Sequence, residues 1–496
     1  MSHVSTHLVL INPRAQEAHR RLPLSLMFLA RGIPEGFTWE IIDGNMEADA
    51  QEKALAAVAQ HEDHCVVLMT VMPGPQLRWA VPWLRELKRY HPGVPVIWGG
   101  YFPTVHPEVT IQDPDVDVVI IGQGELTLAE VLPVLCSGGT SEVAGIDGTV
   151  VLVDGQVVRG ATRSAQISSR LGEINDACLD LDRYAARTFL GKRTYNHHTS
   201  VGCPFVCDFC AVTTAYNGRW LADPAQDVVQ RVRHLHRNYG ADAIEFHDNN
   251  FFAAESRVRQ VSEGISDLGM RWWGEGRIDT MLSWSATTWE AMSKSGLAMV
   301  FYGAESADQE VLDSMQKGGL RVEQTLELNH LAASYGVIPE FSFVMGNPQD
   351  PERDIDRTLR FARRLKDENE RCEIILYMYS PVPMPNADGE VPRAPGFVFP
   401  TSLDGWLAPD WIRFDERRNP GTPWLTRRMV KKVQDFESVL HARWPSVSDR
   451  NLSPRKRSVL RAISAPRILL GRYDHPWEIR LLQKLWRYRR PEEMGF

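Results

Sequence analysis

Twice along this chain, short apolar runs alternate with helical patterns, and that rhythm limits the fold more than any other feature. The first series fills residues 1–136. "HLVLIN" (7–12), "WEIIDG" (39–44), "CVVLMT" (65–70), "VPVIWGG" (94–100) and "VDVVIIGQG" (116–124) read as strands. Most are followed by an amphipathic stretch such as "QLRWAVPWLRELKRY" (76–90). Alternation of this kind makes a parallel sheet with helices on both faces. Such sheets bind ligands outside the carboxyl ends of their strands. Here those ends are turn-rich: Thr70-Val71-Met72-Pro73, Gly99-Gly100-Tyr101 and Gly122-Gln123-Gly124-Glu125. Taken alone, these loops suit any nucleotide-binding sheet.

Residues 137–198 read as a connector. Within it "IDGTVVLVDGQVV" (146–158) predicts a hairpin turning at Asp154-Gly155. The second series fills residues 199–385. Its strands are "HTSVGC" (198–203), "AIEFHDNNFF" (243–252), "MRWWGEGRI" (270–278), "MVFYGAES" (299–306), "VIPEFSFVMGNP" (337–348) and "EIILYMYSPVP" (373–383). Helical patterns separate them, such as 223–239, where Asp223 is the expected N-cap and Pro224 opens the first turn. Six strand–helix units in succession suggest a parallel barrel, open or closed. Residues 386–496 change character. They carry Trp406, Trp411, Trp424, Trp444, Trp477 and Trp486 among basic clusters and helical patterns, the mark of a small helical domain.

At 496 residues the chain has ample length for two or three domains with buried cores. A net charge of −8 gives no reason to expect nucleic acid or an anionic membrane as partner. No apolar run is long enough to span a bilayer, and no signal-peptide pattern precedes the first strand. The expected location is the cytoplasm, where thiols stay reduced.

Three of the seven cysteines lie together in "TSVGCPFVCDFCAV" (199–212), as Cys203, Cys207 and Cys210. Thiolates select zinc, copper(I) or iron–sulfur clusters. A closed zinc site needs four ligands, and no fourth cysteine is near. Three thiolates hold three corners of a 4Fe-4S cube and leave one iron open for an outside ligand, whereas electron carriers use four. The positions i, i+4 and i+7 could also form a buried helical stripe. Pro204 and the strand-like lead-in argue against a helix there.

The Cys-x3-Cys-x2-Cys spacing, with Phe209 before the last cysteine, resembles that of radical S-adenosylmethionine (SAM) enzymes. "GCPFVCDFC", "HDNNFF" and "GAES" resemble their cobalamin-binding branch, over almost the whole chain. The resemblance implies an α/β architecture: a Rossmann-like cobalamin-binding domain, a partial (β/α)6 barrel and a helical C-terminal region. It implies a 4Fe-4S cluster on Cys203, Cys207 and Cys210, whose free iron chelates S-adenosylmethionine. Phe209 would lie against the adenine. Asp248, Asn249, Asn250, Arg277, Glu305 and Gly346, all at strand ends, would complete the SAM pocket. Arg277 suits a carboxylate, and Glu305 suits the ribose hydroxyls or the amino group. Cobalamin would rest on Thr70, Val71, Met72, Gly99, Gly100, Tyr101, Gly122, Gln123, Gly124 and Glu125, where small residues let a flat macrocycle approach the backbone. The Asp-x-His-x-x-Gly motif of classical cobalamin enzymes is absent. His106, His197, His198 and His247 have no assigned role, although His247 adjoins Asp248.

The implied activity is methyl transfer from methylcobalamin to an unactivated carbon of a small molecule, after a 5′-deoxyadenosyl radical removes hydrogen. An external flavodoxin- or ferredoxin-type electron donor is the implied partner. The alternative with the same parts is an oxidative cyclase acting on a porphyrin-type substrate. A third reading, an RNA-modifying enzyme, has the tail's basic clusters for it and the acidic net charge against it.

Overall fold

The structure is a computed structural model that describes residues 5–15, 20–383, 394, 396–415 and 417–491. Residue 386, the expected start of the C-terminal region, lies outside the described residues.

The amino-terminal strands are β1 (His7–Asn12), β2 (Thr38–Asp43), β3 (Cys65–Thr70), β4 (Val96–Gly99) and β5 (Val118–Ile120). They pair in parallel in the order β2-β1-β3-β4-β5, one of the two common doubly wound orders. Their apolar runs are continuous because both faces are covered. Leu8 and Leu10 of β1 pack into one core, and Val9 and Ile11 into the other. The chain reverses direction across the sheet between β1 and β3, which opens a crevice at their carboxyl ends.

The hairpin β6 (Thr149–Val153) and β7 (Gln156–Arg159) forms as expected, with Asp154 and Gly155 at φ 49° and 76° as a two-residue loop of this kind needs. It does not stand in a free connector. β6 pairs antiparallel with β5, so the hairpin extends the sheet to seven strands. Pairing covers backbone groups that β5 would otherwise expose at an edge.

The second series forms a six-stranded, all-parallel sheet of β8 (Thr194–His197), β11 (Ala243–Phe246), β12 (Arg271–Gly276), β13 (Leu297–Glu305), β14 (Ile338–Met345) and β15 (Glu373–Met378). The strands pair in sequence order and β8 does not meet β15, so the barrel is partial. Its first strand is 194–197, not the expected run 198–203. Asp248, just beyond β11, accepts hydrogen bonds from the Thr199 N–H (3.0 Å), the Thr199 hydroxyl (2.8 Å) and the Ser200 hydroxyl. These bonds hold the chain where it leaves the barrel. It then forms β9 (Ser200–Gly202), which pairs antiparallel with β10 (Trp220–Ala222) as a separate ribbon. The helix expected from Asp223 runs Ala225–Tyr239, and Asp223 stays outside it. The Asp223 carboxylate accepts the Ser169 N–H at 2.7 Å rather than capping.

The elements of the C-terminal region are helices among the described residues, with Arg427–Arg443, Pro454–Leu470 and Trp477–Leu485 the longest. Thr426 and Ser453 cap the first two of these through their side chains. Among the described residues no helix is long and apolar enough to cross a membrane.

Candidate active site at the cysteine loop and the sheet crevice

The three cysteines sit in the loop between β9 and the helix Ala211–Tyr216. The Thr213 hydroxyl donates to the Cys207 carbonyl at 2.9 Å, and the Cys210 N–H to the same carbonyl at 3.2 Å, so the loop is tied to the helix that follows it. Asn250 Nδ2 lies 4.0 Å from Cys203 Sγ, and Arg277 Nη1 lies 3.4 Å from Cys207 Sγ. Burial pushes all three thiols up, while Lys317 and Arg277 pull Cys207 back toward the thiolate. Among the described residues no three His, Cys, Asp or Glu side chains converge as one bound ion requires. Three soft thiol donors on one short loop suit an iron–sulfur cube better than a closed four-ligand zinc site. The buried Asn250 Oδ1 has no partner beside them. These residues fit a 4Fe-4S cluster.

Around the loop the structure gathers Phe209, Asn250, Arg277 and Glu305, and adds Lys317, which the sequence reading missed. Arg277 lies flat over the Phe205 ring, 3.9 Å from its centre, and donates to Asp279 (2.8 Å) and to the Lys317 carbonyl (2.5 Å). Lys317 donates to the Gly303 carbonyl at 2.6 Å, pairs with Glu305 and lies 5.8 Å from the Phe209 ring centre. Glu305 ends β13 at φ 60°, a conformation that costs a non-glycine residue about 1–3 kcal/mol and that clusters at functional sites. Gly318 must be glycine: at φ 72° a Cβ there would approach Arg277 Nη2 to 3.0 Å.

The other three residues of the expected SAM set have different surroundings. Asp248 is fully buried and directed to Thr199 and Ser200, as described above. Asn249 is exposed. Gly346 donates its N–H to Asp354 (2.8 Å), accepts from Trp424 Nε1 (3.1 Å) and sits where a Cβ would be 2.6 Å from Leu425. It serves packing of the C-terminal region.

A cavity of about 250 Å³ occupies the crevice of the first sheet. Thr70, Gly99, Gly100, Tyr101 and the run Gly122 to Glu125 all line it. Gly100, at φ 94°, is the crossing point of two loops, where a Cβ would lie 2.8 Å from Thr70 Oγ1 and 3.0 Å from the Val71 nitrogen. The crevice thus combines glycine backbone with apolar side chains, a lining that suits a flat macrocycle. Val71 and Met72 do not line it. Val71 is stitched to Gly99 and Phe102 by 2.9 Å backbone bonds, and Met72 is half exposed. Glu125 is held by Arg31 at 2.7 Å in a buried pair. Sequence reading missed the far wall. Ser25 and Phe28 come from the helix Leu24–Leu29, and Val201, Ala215 and Tyr216 come from the segment that carries the cysteines. Among the described residues that line this cavity there is no histidine.

Two families match the chain: B12 binding domain over residues 15–132 and Radical SAM superfamily over residues 198–362. The chain belongs to the B12-binding radical SAM enzymes. An uncharacterized methyltransferase of Pyrococcus horikoshii is 29% identical over 370 residues, covering 72% of this chain and 78% of its own. Cytidylyl-2-hydroxyethylphosphonate methyltransferase of Streptomyces wedmorensis is 27% identical, covering 50% of this chain and 52% of its own length. Among solved structures, the cobalamin-dependent S-adenosylmethionine radical enzyme OxsB superposes with a TM-score of 0.67 over 97% of this chain and 75% of its own, at 14% identity.

In this B12-binding radical SAM enzyme burial disfavours the charged form of His106, His197, His198 and His247. Burial lowers His106 and His247 to about 4, and lowers His197 and His198 as well. His247 contacts Glu245 at 3.1 Å, within the barrel and away from the cysteines' immediate partners.

Proposed function

We propose that the chain is a cobalamin-dependent radical SAM methyltransferase that modifies an unactivated carbon of a small molecule in the cytoplasm, with a flavodoxin- or ferredoxin-type electron donor. The observation that carries this reading is the helix Ala211–Tyr216. It begins directly after Cys210, and its other end, Ala215 and Tyr216, walls the crevice of the first sheet. The cluster loop and the cobalamin cradle are thus two ends of one short helix, which brings both within reach of one substrate. The bound groups supply a hydrogen-abstracting adenosyl radical and a carried methyl group. The chain's residues do the rest. Cys203, Cys207 and Cys210 hold the cube; Arg277, Lys317 and Asn250 place donors and positive charge beside it. The part-buried rings of Phe205 and Phe209 give the cluster loop apolar cover. The two relatives named above are both called methyltransferases, which supports methyl transfer.

The test is anaerobic reconstitution with iron, sulfide and hydroxocobalamin, followed by reaction with S-adenosylmethionine. Iron–sulfur and corrin absorption, with 5′-deoxyadenosine release and a product heavier by one methyl, is the expected result. A protein that binds no corrin, or a product with a new ring or inserted oxygen, would overturn methyl transfer and favour the cyclase.

A further inference from the structure

A second cavity adjoins the crevice at the helix Tyr101–Val105, and its volume is about 60 Å³. It has room for a few waters or one small polar group. Tyr101 faces both cavities. Phe102 and His106 wall it on the sheet side, Ala211 beside Cys210 on the cluster side, and Trp406 and Arg417 on the C-terminal side. The walls are aromatic: Trp406 lies 5.4 Å from Phe102 and 4.8 Å from His106, centre to centre. Burial holds His106 neutral, so Arg417 is the one charge this lining carries.

Among the described residues the Arg417 guanidinium has no hydrogen bond or ion pair. Its neighbour Arg418, by contrast, pairs with Glu437 at 2.9 Å. The Arg417 backbone is pinned: its carbonyl accepts the Met378 N–H at the end of β15 (2.6 Å), its N–H reaches the Phe414 carbonyl (3.3 Å), and φ is 49°. The protein therefore holds a strained residue in place to put an unmatched cation against an aromatic wall. Arg417 is part-buried, so its guanidinium remains open to a ligand in the cavity it lines. A guanidinium offers a planar fork that matches an oxyanion. Ala211, the residue after Cys210, lines the same cavity, so a ligand gripped here has its remainder near the cluster.

We propose that Arg417 anchors an anionic oxyacid group, carboxylate or phosphate-like, of a substrate whose adjoining part is flat and apolar. This rests on the methyltransferase reading, because it places the substrate between the two cofactor sites.

Equilibrium dialysis of the reconstituted holoenzyme tests it, with phenylacetate and phenylphosphonate against the neutral 2-phenylethanol. The anions should bind about tenfold tighter or more, as a charge-assisted pair implies. Arg417→Gln should erase that preference and Arg417→Lys should keep part of it. The carboxylate and phosphonate arms show which oxyacid is favoured. Equal binding of anions and alcohol, or a preference that survives Arg417→Gln, would overturn the proposal. So would weaker S-adenosylmethionine binding or cluster loss in Arg417→Gln, since Arg417 would then serve the cofactors. Corrin content and substrate-free 5′-deoxyadenosine formation in the unsubstituted protein test the methyltransferase reading separately.

Discussion

One guanidinium, that of Arg277, touches a cluster thiol, stacks on Phe205 and ties down the loop of Lys317. Lysine keeps the charge but offers a point donor without the planar fork. Arg277→Lys should therefore retain its iron while 5′-deoxyadenosine formation falls about tenfold or more; an unchanged rate would mean the fork is dispensable. Lys317 and Glu305 form a buried pair in which neither partner has water to fall back on. Glu305→Gln strands the ammonium and should destabilise the protein by about 3 kcal/mol, read as a lower urea midpoint at constant slope. The cysteines were legible because all three ligands fall within one short loop. Lys317 was not. It sits in a glycine-rich turn, 12 residues past Glu305, and meets Phe209 only through the fold. Asp248 and Gly346 show the converse. Strand ends collect polar and small residues for packing and for function alike, and only the observed partners separate the two.

Strands and loops have their own pH logic. Glu340 of β14 stands opposite Glu373 of β15, and burial, then that neighbouring carboxyl, pushes it up to about 8. It is therefore protonated in the folded chain at pH values where the unfolded chain would have lost the proton. Its contribution is complete below the ordinary glutamate range and is lost as pH rises toward about 8. Over that window the native protein should lose up to about 1.4 kcal/mol per pH unit relative to Glu340→Gln. Urea midpoints compared between the ordinary glutamate range and about pH 8 measure it; parallel profiles would contradict the assignment. At the crevice, Gly100→Ala meets both a positive φ and Thr70 Oγ1. It should lower corrin uptake and leave iron content unchanged. Strand identity was readable from apolar runs; pairing was not. Nothing in "TVVLV" says that β5 is its partner, and the first barrel strand was misplaced because Asp248, far along the chain, helps decide where the run 198–203 departs from the sheet.

The two halves of the molecule are interlocked. In the connection between β1 and the helix Leu24–Leu29, the Leu22 N–H donates to Asn196 Oδ1 of β8 at 2.8 Å, and Asn196 Nδ2 returns a bond to the Leu22 carbonyl at 3.2 Å. Arg21 reaches Glu245 of β11 at 3.5 Å. Corrin release and loss of tryptophan signal should coincide in one unfolding transition, and two resolved steps would count against the interlock. This joint also sets a timetable during synthesis. Leu22 leaves the ribosome long before Asn196, and the crevice lacks Tyr216 until later still. A nascent chain stalled short of residue 196 has an unfinished cradle, so the vitamin meets its complete pocket only once the first barrel strand and the cysteine segment through Tyr216 have been translated.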